Sequence, residues 1–80
     1  MLRMSAHTKA TPQDVVNRAI EFFNRKLEMK IIEQSPTCVY FQDNIGKVDV
    51  VSCVDKKGTT VELASVEWDN EVREFVKKLP

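Results

Sequence analysis

One short phrase occurs twice in this chain, as DNIGK at residues 43–47 and DKKGT at 55–59, so that an Asp-x-x-Gly stands at each end of a single apolar run. Few features restrict a fold more. Asp-x-x-Gly between two strand-like runs suits a tight hairpin loop, with a type I turn followed by a glycine that accepts a left-handed backbone. Gly46 and Gly58 are the only two glycines in the sequence, and both stand where such a loop needs one. Two hairpins in succession make an antiparallel meander.

The runs around the loops agree. TCVYFQ, KVDVVSCV and TTVELASV are rich in β-branched residues and alternate apolar with polar positions. MKIIEQ at 29–34 reads either as a first strand or as an extended linker, and Ser35-Pro36 separates it from the next run. If both loops have three residues, Asp43 faces Lys47 and Asp55 faces Thr59, and the register of three strands follows. One face then carries Val39, Val51 and Leu63 in a row, beside Phe41, Cys53 and Val61. The other carries Tyr40, Val50 and Ala64, beside Val48, Val66 and Cys38.

Helices flank the meander in the sequence. Thr11-Pro12-Gln13-Asp14 reads as a helix start, with Thr11 as N-cap, Pro12 in the first turn and Asp14 at the positive end of the dipole. Val16, Ile20, Phe23 and Leu27 recur at helical spacing, flanked by Val15, Ala19 and Phe22. Asp14 with Arg18 and Glu21 with Arg25 place an acid four residues before a base on the solvated side. A second helix is expected near 68–79, with Trp68, Val72, Phe75, Val76 and Leu79 as its apolar stripe and Asp69 as N-cap. Its acids lead and its bases trail, as the helix dipole favours. The first ten residues, MLRMSAHTKA, read as a flexible tail ahead of a single domain at 11–80.

The fold class expected is therefore α+β in two layers: a three- or four-stranded antiparallel meander with a helix before it and a helix after it. At 80 residues the core is small, and a partner is one way to supplement it. Twelve basic and twelve acidic side chains cancel, so no overall field recruits polyanions. No stretch approaches the roughly 18 apolar residues of a membrane span, and the N-terminus lacks the apolar segment of a signal peptide. Two cysteines are too few for a secreted disulfide scaffold. These features point to a cytoplasmic protein without a membrane role.

The order of elements resembles the double-stranded-RNA-binding domain over residues 11–79, and the resemblance implies a helix, three strands and a helix on one small sheet. It stops at that order. Such a domain meets phosphates through a basic cluster at the start of its second helix, whereas here the segment reads VEWDNEVREF, with Glu67, Asp69, Glu71 and Glu74. No function and no binding residues carry over, and nucleic acid is not expected as a partner.

Site chemistry is sparse. His7, the sole histidine, falls in the expected tail. Cys38 and Cys53 are not in a C-x-x-C arrangement, and the register above sends them to opposite faces, where they share neither a disulfide nor a metal. Asp49 and Glu62 sit within strands and read as solvated positions, and Trp68 reads as core or as a staple between sheet and helix. No Gly-rich phosphate loop is present. No catalytic, cofactor-binding or metal-ligating residue is assigned, and no cofactor is expected.

What remains is a surface. Two short helices cover one face of a sheet. The helices are expected on the face of Val39, Phe41, Val51 and Leu63, leaving Tyr40, Val48, Val50, Ala64 and Val66 as the interaction face. The expected function is a non-catalytic interaction module that self-associates or docks another protein. The alternative is a domain that holds a small apolar ligand between sheet and helices, lined by Phe22, Phe23, Phe41 and Trp68.

Overall fold

A computed structural model describes the whole chain, Met1–Pro80. Its elements are β1 (Leu2–Thr8), α1 (Pro12–Ala19) continuing as a π-helical segment (Ile20–Lys26), β2 (Lys30–Gln34), β3 (Cys38–Gln42), β4 (Lys47–Asp55), β5 (Gly58–Val66) and α2 (Asp69–Lys77). The strands form one antiparallel sheet in the order β1-β5-β4-β3-β2. β2 to β5 are a meander. Both helices pack on the same face, α1 over β3 and β4, and α2 over β5.

This is the expected small α+β architecture with one strand more. Residues 2–8, expected in a flexible tail, form β1 and pair with β5 from Leu2↔Ser65 to Thr8↔Thr59. The segment LRMSAHT alternates Leu2, Met4 and Ala6 toward the helices with Arg3, Ser5 and His7 away from them. That alternation is weakly apolar, and the pairing partner lies more than fifty residues away. Residues 30–34, left open between strand and linker, are the strand at the opposite edge.

α1 starts as its sequence requires. The Thr11 hydroxyl accepts from the Asp14 N–H at 3.1 Å, and Arg18 Nε donates to the Asp14 carboxylate at 2.8 Å. Past Ala19 the helix widens, and the Leu27 N–H donates to the Phe22 carbonyl five residues back at 3.2 Å. The wider turn lets the adjacent Phe22 and Phe23 both face inward, with ring centroids 5.0 Å apart and nearly perpendicular. Phe23 reaches Phe41 on the sheet at 5.3 Å and Phe75 on α2 at 5.4 Å. One side chain thus joins three elements. Glu28, at φ 60°, turns the chain out of the helix, and the Asn24 side-chain amide holds the exit through the Met29 carbonyl at 2.8 Å.

α2 begins at Asp69, so its N-cap falls one residue earlier than expected. Trp68 occupies the N-cap position and makes no side-chain cap, while Asp69 stands in the first turn and accepts from the Ser65 hydroxyl. Glu67, at φ 70°, turns β5 into the helix. Buried hydroxyls close the remaining backbone at the sheet ends. Ser52 donates to the Thr37 carbonyl at 2.7 Å and Thr59 to the Ala10 carbonyl at 2.6 Å. Buried polar groups without such partners would each cost about 1–3 kcal/mol.

The register differs from the three-residue-loop expectation at both hairpins. Gln42 pairs with Lys47, so Asp43–Gly46 form a longer loop, and Asp55 pairs with Gly58, so only Lys56 and Lys57 turn the chain. Gly58 has positive φ, at 135°, but lies inside the ladder, and Gly46 has no positive φ. The two shifts act in opposite senses, so β4 alone is turned over while β3 and β5 keep their expected relation. Val39 pairs with Val50 and Val50 with Leu63. The core therefore takes Val48 and Val50, both 0% exposed, with Val39, Phe41, Val61 and Leu63. Val51 and Cys53 pass to the other side.

Candidate interaction face

The face away from the helices is built from the outward positions of all five strands. Its central row runs Arg3–Ala64–Asp49–Tyr40–Glu33 from β1 to β2. The next row is Ser5–Glu62–Val51–Cys38, and a third sets His7 beside Thr60 and Thr60 beside Cys53. Val66, Lys47, Gln42 and Lys30 close the other end. The centre is a shallow hollow of about 280 Å³ bordered by Arg3, Tyr40, Asp49, Val51, Glu62 and Ala64.

Of the five residues expected on this face, Tyr40, Ala64 and Val66 are there, and Val48 and Val50 are not. The physical reason is the inverted β4, which places Val51, 37% exposed, where Val50 was expected. Arg3 joins the face because β1 exists. Sequence reasoning missed both, and the signal for Arg3 was present in the alternation of LRMSAHT. Asp49 and Glu62, read separately as solvated strand positions, border the same hollow.

Charge on the face is banded. Asp49, Glu62 and Glu33 surround the aromatic centre, while Lys47 and Lys30 lie at one end and Arg3 at the β1 side. Tyr40 senses this. Its phenol is pushed above its ordinary range, first by the neighbouring Cys38 thiol, then by desolvation and by the carboxylates of Asp49 and Glu33. Tyr40 presents a flat amphipathic group at the centre of the face.

The cysteines and the histidine lie on this side too. Cys38 and Cys53 are free thiols on the same face, so the alternation argument for separating them fails with the register. Cys38 Sγ is 3.0 Å from the Ser35 hydroxyl in the β2–β3 turn. His7 stands in the β1 ladder, with Nδ1 3.1 Å from the Thr60 hydroxyl and Nε2 3.3 Å from the Asp55 carboxylate. These contacts tie β1 to the β4–β5 hairpin. Trp68 acts as a staple, donating from Nε1 to the Asp43 carboxylate at 3.2 Å.

The class of protein these features define is a small α+β domain with helices on one face of a five-stranded antiparallel sheet and the other face open. Comparison with protein-family models, with curated proteins and with solved structures finds no match for this chain. No helix is long and apolar enough to cross a membrane.

Proposed function

We propose that this protein is a non-catalytic interaction module, working in the cytoplasm, whose open sheet face packs against the same face of a second copy. The observation that carries this reading is the hollow at the middle of the open face, where Tyr40, Val51 and Ala64 are interleaved with Asp49 and Glu62 and Arg3 stands at the β1 side. A two-fold axis through such a face brings each arginine toward the acids of the other copy, so one surface complements itself. The interleaved charges favour a reversible association over an obligate one.

The alternative, an apolar ligand between sheet and helices, has less support. Phe23, Phe41 and Met29 fill the space between sheet and helices and are 0–1% exposed. The hollow of about 250 Å³ beside Phe22 and Phe75 is bordered by the charged Arg18, Glu21, Lys26 and Lys78 of the two helical segments and their ends.

Sedimentation of the wild type and of Val51→Lys across a wide concentration range tests the proposal. The variant is expected to keep the fold, because position 51 faces outward, and to weaken face-to-face association at least tenfold. Identical mass-against-concentration curves for the two proteins would contradict it.

A further inference from the structure

The two edges of the sheet are finished differently. β2 has five residues, carries a register shift between Ile31 and Glu33, opens on Lys30 and is followed by Ser35-Pro36. Short length, a bulge, charge and a proline are the devices by which proteins keep an edge from pairing with another chain. β1 has no bulge and no proline, and its one fixed charge, Arg3, lies on the open face rather than among the residues that pack toward the helices. The strand runs seven residues with an unbroken register from Leu2↔Ser65 to Thr8↔Thr59, and contains no Gly or Lys.

The outward backbone of β1 has no protein partner. None of the backbone hydrogen bonds made outside the helices and ladders involves Leu2–Thr8, and its ladder bonds all go to β5. An unpaired row of N–H and C=O groups on a flat strand is a template for one more strand.

The side chains say which strand. Leu2, Met4 and Ala6 pack against the core but are only partly buried, although the α2 segment is tied to both ends of β1, by the Met1 amino group 3.8 Å from Asp69 and by the Thr8 hydroxyl donating to the Pro80 carbonyl at 3.3 Å. A bare extended peptide would satisfy the backbone and leave this apolar row open. A second copy does both, because a two-fold axis normal to the sheet keeps both helix layers on the same side and sets one Leu2-Met4-Ala6 row beside another.

We infer that β1 pairs antiparallel with β1 of a second copy, joining five strands from each into one continuous sheet. The pairing goes beyond the open-face proposal and uses a different surface. Edge pairing leaves both open faces free, so a chain using both surfaces assembles first through one and then through the other.

The test is an isotope-filtered NMR experiment on a mixture of labelled and unlabelled protein, done on the wild type and on Val51→Lys. In both, contacts between copies are expected among Leu2, Met4 and Ala6. Ala6→Lys, which adds a charge to the half-buried row, is expected to remove these contacts and weaken edge association at least tenfold. Absence of contacts between β1 strands in the associated wild type would overturn the inference, as would a folded Ala6→Lys variant that keeps them. A Val51→Lys variant that loses face-to-face association but keeps the β1 contacts would support the edge pairing independently of the face, whereas a folded Val51→Lys variant without β1 contacts would overturn it.

Discussion

The β3–β4 and β4–β5 hairpins carry the same Asp-x-x-Gly phrase, yet one closes with Asp43–Gly46 and the other with Lys56 and Lys57 alone. At the first, one Asp43 oxygen accepts from the N–H groups of Ile45 and Gly46 at 2.9 and 2.8 Å and from the Trp68 indole. At the second, Asp55 accepts from the Lys57 N–H at 2.8 Å and from the Thr60 hydroxyl, with His7 beside it. Each aspartate therefore does a local job and a distant one. Asp43 holds the start of α2, and Asp55 holds β1.

The glycines divide in the same way. A Cβ at Gly46 would stand 1.9 Å from the Val66 carbonyl oxygen, in the turn that leads into α2, and a Cβ at Gly58 would stand 2.7 Å from the Thr8 carbonyl oxygen at the end of β1. Both residues are glycine because another part of the backbone comes close, and Gly58 also needs its positive φ. The repeated phrase marks two docking points, one for each element outside the meander. Loop length follows from what docks there. That is why a local rule for three-residue loops gave the wrong register for β4.

Substitutions sharpen this comparison, beginning with the strand between the hairpins. Val50→Lys buries a charge in the core where a valine contributes about 1.5–3 kcal/mol, so thermal or urea melts are expected to show loss of the folded state. The neighbouring Val51→Lys is expected to change stability by about 0.5 kcal/mol or less. A reversed ranking would mean that the loops are three residues long after all.

Gly46→Ala is expected to destabilise by about 3 kcal/mol and Gly58→Ala by about 2 kcal/mol, since both meet backbone and the clash at Gly46 is the closer. The two should fail in different places. Hydrogen exchange is expected to rise first in α2 for Gly46→Ala and first in β1 for Gly58→Ala.

Asp43→Ala removes an acceptor shared by three donors and is expected to cost about 1–2 kcal/mol, measured by urea unfolding. Asp55→Ala is expected to cost less, because its partners are exposed and screened.

The smallest effect is in acid. Burial pushes the Asp43 carboxyl up, but the Gly46, Ile45 and Trp68 donors outweigh it and hold it below the ordinary carboxylate range. The Thr60 hydroxyl, the Lys57 N–H and the nearby His7 do the same for Asp55, against a smaller desolvation. A carboxyl depressed in the folded state adds stability above its unfolded pKa, near 4, and loses it as pH falls through the folded value. Stability is therefore expected to drop below about pH 4, and less steeply in Asp43→Ala than in the wild type. Equal acid slopes in the two proteins would remove Asp43 from this role.

Much of the fold was legible in the sequence where the cause is local. Thr11-Pro12 caps α1, alternation marks β3 to β5, and leading acids mark α2. The parts that were not legible depend on distant partners. β1 is a weak alternation that becomes a strand because β5 lies beside it. The π-helical widening follows from packing Phe22 and Phe23 together against Phe75 and Phe41. On the candidate face, Tyr40, Ala64 and Val66 could be read from strands whose relation survived, while Val48 and Val50 could not, because their strand is oriented by the docking of Val66 and Trp68 on the first loop.

The register of β4 decides which residues the open face contains, and methyl NOESY on the folded protein measures it directly. Val50 methyls are expected to show contacts to Val39, Leu63 and the side chains of α1, and Val51 methyls to Tyr40, Cys38 and Glu62 with none to either helix. Contacts from Val51 to α1 and from Val50 to Tyr40 would contradict the register and, with it, the interaction face.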